Sequence, residues 1–161
     1  LDNKKVRGLI LDLRNNGGGD FDVSIAIAGI FLDGDKVVSA VDAHGNEKVY
    51  SASKGKVDIP LVVLVNEDSA SASEILAAAL RDNQRAVLVG KKTFGKGLVQ
   101  TVFPLRNGGA LKLTTQKYYT PAGIDINEVG ITPDYVVENN ADEDTDLQLD
   151  KAISVLKKQI Y

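Results

Sequence analysis

The sequence has no cysteine and a single histidine, so the side chains that most often serve as, or activate, a nucleophile at neutral pH are almost missing. Without thiols there is no disulfide framework, an absence compatible with oxidising and reducing compartments alike. The lone histidine, His44, sits in AHGN, a turn between two strand-like segments. No apolar run approaches the roughly 20 residues that a membrane-spanning helix needs, and no signal peptide opens the chain. Basic residues are not in excess: 19 Lys and Arg stand against 22 Asp and Glu, a formal charge of -3. With the two signs interspersed there is no broad basic face, and nucleic acid is not expected as a partner. Internal repeats are also lacking. The opening LDNKKVRGLILDL runs from charged residues straight into a strand without an initial methionine, which leads us to expect a segment of something longer.

What is present suits one globular domain over 1–161, since 43% of the residues are hydrophobic and 25% charged, enough to build a core. VRGLILDL (6–13), PLVVLVN (60–66) and AVLVG (86–90) are apolar runs of the kind buried on both faces of a parallel sheet. The first is followed by NNGGGD and then FDVSIAIAGIFL (21–32), a helix apolar on most of its circumference; the second leads through a small-residue turn into the helix ASEILAAALRDN (72–83). KVVSAV (36–41) and EKVYSA (47–52) flank DAHGN as a hairpin would, and LVQTVFPL (98–105) and ALKLTTQKYYT (110–120) form a second antiparallel pair around RNGG. NNADEDTD (139–146) reads as an acidic linker before a last helix over 147–160, with Leu149, Ile153, Leu156 and Ile160 at helical spacing. Strand–turn–helix units of this kind predict a layered α/β fold, with ligands where strands end and helices begin.

Two such junctions carry the chemistry. A serine hydroxyl is inert at neutral pH unless a positioned base takes its proton, and where histidine is missing a desolvated neutral lysine can replace it. Ser71, in NEDSASASEI, fits this role and equally fits a capping box with Glu74, and the two roles are compatible. A serine at a helix start has unpaired amides beside it, and that of Ala72 could donate to an oxyanion. Ser69 and Ser73 are neighbours that local pattern does not exclude. The NNGGG turn (15–19) is suited to supply a second donor, besides any need for positive φ.

Lys96 lies in KKTFGKGLVQ, where Phe94, Lys96, Leu98 and Gln100 alternate. In an extended segment these four point the same way, so apolar neighbours would disfavour the ammonium and Gln100 could accept from the amine. To act as a base near neutrality a lysine must fall by about 3 pH units from its ordinary value. GKKTFGK also matches the first seven positions of a phosphate-binding loop. However, Gly97 stands where Ser or Thr would hold magnesium, and a strand follows where that motif needs a helix. Asp12, Asp125 and Glu128 show no metal-ligand spacing, and neither a metal nor a cofactor is expected.

LILDLRNNGGG, VLVNEDSASASEI, VGKKTFGKGLVQ and YYTPAGIDINEVGITPD, in this order, resemble the carboxyl-terminal processing peptidases (tail-specific proteases), most closely the photosystem D1-processing type. The resemblance runs from about residue 6 to about residue 137. It implies a crotonase-like (ClpP/crotonase-type) α/β core and a serine endopeptidase acting through a Ser/Lys dyad. Position by position, it implies Ser71 as nucleophile, Lys96 as general base, Gln100 as the residue orienting that base, and Ala72 with Gly19 or Gly18 as oxyanion donors. Gly17 departs from the proline or serine usual there. The family normally carries a PDZ domain and helical segments before this core, so the chain is expected to be the core without them. The expected partners are protein or peptide substrates with extended C-terminal tails, in an extracytoplasmic compartment. The alternative is a non-catalytic crotonase-like module that binds peptides or apolar ligands.

Overall fold

The computed structural model describes residues 6–55, 57–139 and 145–161. Its strands form two four-stranded sheets. One is parallel, with spatial order β1 (Leu9–Asp12), β4 (Leu61–Val65), β5 (Val87–Gly90) and β8 (Tyr135–Val136). The other is antiparallel, in the order β3 (Glu47–Ser51), β2 (Lys36–Asp42), β7 (Ala110–Tyr119), β6 (Leu98–Pro104). Both expected hairpins are present, joined through β2 and β7 into one sheet. β8, only two residues long, has no signature in the sequence.

Strand β4 shows how the layers are held. All five of its residues are buried, and successive side chains point to opposite faces. Leu61, Val63 and Val65 join a core with Leu88, α1 (Phe21–Phe31) and α2 (Ala72–Asp82), while Val62 and Leu64 meet Val89, Ala152 and Val155 on the other face. The second face is covered by α3 (Leu147–Ile160). Helix α2 is buried from Ala72 to Leu80 and packs against β5 of one sheet and β2 of the other. It is the joint between the sheets, and its first residue follows Ser71.

The helix faces differ in detail from expectation. In α3 the buried positions are Gln148, Ala152 and Val155, with Leu149 and Leu156 beside them and Ile153 37% exposed. The stripe is rotated because Gln148 turns inward, donating to Val137 O (2.9 Å) and accepting from Arg14 Nη1 (3.2 Å). Within α1, Val23 and Ile30 are exposed, so that helix is covered on one side only. Most of the expected acidic linker lies outside the described residues.

Arg14 clamps α3 to the end of β1, donating from Nε and Nη2 to Asp12 and from Nη1 to the α3 cap Asp146 at 2.8 Å. The Arg14 hydrogen bond is the main reason that the Asp146 carboxyl falls from its ordinary 3.8 to about 2. A depressed carboxyl contributes stability above the ordinary value and loses it as pH falls from about 4 towards 2. Asp146 is 37% exposed, so screening holds this contribution to at most about 1 kcal/mol. Arg14→Ala should therefore lower the thermal midpoint more at about pH 7 than at about pH 2.5. Equal losses at both would show that the clamp does not act through Asp146.

Candidate active site

Ser71 follows the turn after β4 and caps α2 with φ 56 and ψ -116, a left-handed conformation that costs a non-glycine residue of order 1–3 kcal/mol. That sharp bend leaves Ser71 half-exposed, while Ser69 and Ser73 are buried. Ser69 is wholly used in structure: its Oγ donates to Leu13 O (2.8 Å) and accepts from Asn66 N (2.9 Å). Of the three serines left open by the pattern, Ser71 is the one with solvent access.

The glycine turn is fixed to the serine turn by asparagines. Asn66 Oδ1 accepts from Asn15 N (2.8 Å), Asn66 Nδ2 donates to Asn15 Oδ1 (2.7 Å), and Asn16 O accepts from Ala70 N (3.0 Å). At Gly18 (φ 98) an added Cβ would lie 2.6 Å from Ala70 O and 2.9 Å from both Ala72 N and Ser71 Cβ. Only glycine allows that approach. The Gly18 amide donates to Asn16 Oδ1 (3.0 Å), whereas those of Gly19 and Ala72 have no hydrogen-bond acceptor among the described residues. Of the two expected glycines, Gly19 is the one with a free N–H.

Glu74 connects this turn to the segment bearing Lys96. Its side chain is fully buried and accepts four hydrogen bonds. Oε2 takes Ser71 N (2.9 Å) and Lys96 N (2.8 Å), while Oε1 takes Gly95 N (2.7 Å) and Thr93 Oγ1 (2.5 Å). The amide nitrogens of Ser71 and Lys96 share one oxygen, so they lie no further apart than the sum of those two distances. Of the capping box, the Glu74 half is the bond from Ser71 N, while the Glu74 amide donates to Ser71 O rather than to the Ser71 hydroxyl. Further ties run from Phe94 N to Ser69 O (3.0 Å), Glu128 N to Gly95 O (2.8 Å) and Ile131 N to Thr93 Oγ1 (2.7 Å).

Around Lys96 the structure corrects the expectation. Residues 94–97 are not a strand, because Gly95 takes φ 92, and the alternation that would have enclosed Lys96 between Phe94 and Leu98 is broken. Phe94 is 66% exposed, and the Lys96 and Gln100 side chains are also exposed. Among the described residues, the Ser71 hydroxyl, Lys96 amine and Gln100 amide make no side-chain hydrogen bond, so Gln100 does not hold Lys96 in this state.

Other candidates have structural partners. His44 is exposed at the β2–β3 turn, Asp12 pairs with Arg14, and Asp125 pairs with Lys117 (2.9 Å). Beside the glycine turn is an apolar depression of about 150 Å³, lined in part by Leu13, Gly19, Val23, Ile27 and Leu76. A larger depression of mixed polar and apolar lining, about 530 Å³, lies at the opposite end of the parallel sheet. Its arginines are already held there: Arg81 by Thr132 O, and Arg85 by the carbonyls of Phe31, Val57 and Ile59.

A family described as peptidase family S41 matches residues 1–137. A carboxyl-terminal-processing protease from Synechocystis sp. is 50% identical over 139 residues, covering 86% of this chain and 33% of that protein. A chloroplastic C-terminal processing peptidase from Tetradesmus obliquus is 47% identical over 136 residues, covering 83% and 29%. Among solved structures, a photosystem II D1 C-terminal processing protease superposes with a TM-score of 0.81 at 45% identity, covering 85% of this chain and 36% of that one. The chain thus spans about a third of the length of these relatives.

Two outcomes follow from the local geometry. Glu74→Ala orphans four buried or half-buried donors at about 1 kcal/mol or more each, so the thermal midpoint should drop by roughly 8 °C or more. A drop under about 2 °C would mean the hub is dispensable. Ser71→Gly relieves the left-handed strain that Ser71→Ala retains, so the glycine variant should melt at the higher temperature. The reverse order would show that the bend is unstrained.

Proposed function

Because the chain belongs to peptidase family S41, we propose that it is the catalytic core of a serine endopeptidase acting through Ser71 and Lys96. Its substrates would be extended, partly apolar protein tails, cut near the carboxyl terminus. The observation carrying this reading is the shared Glu74 oxygen, which holds the Ser71 and Lys96 amides together at a helix start with free N–H groups beside it.

In this mechanism neutral Lys96 Nζ takes the proton from Ser71 Oγ as the oxygen attacks the peptide carbonyl. The Ala72 and Gly19 amides stabilise the oxyanion. Collapse breaks the C–N bond, Lys96 returns its proton to the leaving amine, and an acyl-enzyme remains. Water then gives a proton to Lys96 as it attacks the ester, and Lys96 passes that proton to the departing Ser71 Oγ, which regenerates both groups. A peptide lying over the exposed Lys96 takes the amine out of water, the condition in which an amine sheds its proton. Gln100 then becomes a nearby acceptor able to orient it. The apolar depression at Val23 and Ile27 suits an apolar side chain next to the scissile bond. An extracytoplasmic setting for this activity is part of the proposal and is supported by the family resemblance; no described helix is long and apolar enough to cross a membrane.

The exposure of Lys96 favours, as a second reading, a module that binds peptides without cutting them. Hydrolysis of an unstructured, apolar-tailed peptide separates the two. Ser71→Ala should abolish cleavage and leave the fold intact, while Ser69→Ala should keep the nucleophile even if it costs stability. Lys96→Arg should be as damaging as Lys96→Ala, because arginine keeps the charge but cannot give up its proton. Near-wild-type turnover in Lys96→Arg would contradict the dyad.

A further inference from the structure

Strand β6 starts two residues after Lys96 and is the outermost strand of the antiparallel sheet, paired among the described residues on one side only, with β7. Its hydrogen-bond parity is fixed from both ends. Leu105 N donates to Gly109 O (2.8 Å) at the turn, and Gly97 O accepts from Tyr118 N (2.7 Å) at the base. With the register Pro104↔Ala110, Phe103↔Leu111 and Thr101↔Leu113, the odd-numbered residues of β6 turn their backbone groups towards β7. Leu98, Gln100, Val102 and Pro104 turn theirs to the free edge. The irregularity between Val99 and Gln100 adds its extra residue to β7 and leaves this parity unchanged. Pro104, which has no N–H, stands at an outward position, where a proline costs the ladder nothing.

The distal part of this ribbon is exposed on both faces, and it carries Val102, Phe103, Leu105, Leu111 and Leu113 at 43–57% exposure. A two-stranded ribbon with that much open apolar surface is marginal by itself. An unpaired edge invites another strand.

We infer that the free edge of β6 from Leu98 to Val102 is the rail on which an extended peptide substrate pairs as an added strand. This deepens the proposed function and rests on it. A strand on this edge runs past Gln100 and Lys96 towards Ser71, whose amide shares a Glu74 oxygen with that of Lys96. Its main chain is held without regard to sequence, and its alternate apolar side chains lie along the exposed ribbon, which fits an unfolded, apolar-rich tail.

The test measures binding apart from cleavage, by fluorescence anisotropy on the full chain carrying Ser71→Ala. The probe is a short labelled peptide of alternating valine and serine. Val102→Pro removes one outward N–H and, like Pro104, spares the β6–β7 ladder. It should weaken binding by about fivefold to tenfold, clearly more than Val102→Ala, which trims only a side-chain contact and keeps the outward N–H. Against the Ser71→Ala chain without a second change, two peptides N-methylated on alternate residues in opposite registers should differ, one losing binding and the other keeping it. That pair remains informative if the proline variant fails to fold. Equal binding of both registers, or unchanged binding to a folded Val102→Pro variant, overturns the rail, as does a proline effect confined to self-association of the chain. Cleavage by wild-type chain that survives such a result leaves the endopeptidase reading standing. Register-selective binding without any hydrolysis keeps the rail and removes that reading.

Discussion

One buried carboxylate organises this site. Glu74 lies in the buried stretch of α2 from Ala72 to Leu80, otherwise made of small and apolar residues, and a charge there is tolerable only with its lone pairs satisfied. Four donors from two separate segments satisfy them. Burial that would otherwise destabilise the helix is thereby converted into a constraint. The turn bearing Ser71 leaves β4 of the parallel sheet, the loop bearing Lys96 runs from β5 of that sheet to β6 of the other, and the cost of orphaning this carboxylate keeps them together.

The supporting contacts follow the same logic on other sides of the site. Asparagines at the ends of β1 and β4 lock the glycine turn against the serine turn. Phe21, just past the glycines, stacks on Tyr118 (5.2 Å between ring centroids), and the Tyr118 amide donates to Gly97 O. Serine turn, glycine turn and lysine loop are therefore each tied to the other two at the backbone or immediately beside it. The chemical ends of Lys96 and Gln100, in contrast, are exposed. Such an arrangement is rigid in its scaffold and leaves its last step of assembly to whatever covers it.

Much of the fold was legible because its signals are local. The continuous apolar runs of β1, β4 and β5 marked a parallel sheet, turn chemistry marked both hairpins, and four motif blocks in order marked the family. Ser71 was readable as a serine at a helix start. Its preference over Ser69 came from the family resemblance alone; local pattern could not supply it, since the burial of Ser69 depends on its contact with Leu13, far away in sequence. The wider role of Glu74 was hidden for the same reason: spacing reveals a bond to the serine three residues before it, but not one to a loop some twenty residues later. The trace available was a carboxylate in a run of residues too apolar to be an exposed first turn. The enclosure expected of Lys96 failed because alternation presumes an extended backbone, and Gly95 breaks it with a positive φ.

The central claim, that Lys96 activates Ser71, is tested most directly by the rate at which a fluorophosphonate modifies the protein, followed by intact mass and located by peptide mapping. A single adduct should form on Ser71, and Lys96→Ala should slow its formation by about 100-fold or more, the usual contribution of a positioned general base. An adduct on Ser69 or Ser73, or a rate on Ser71 unchanged by the loss of Lys96, would contradict the account.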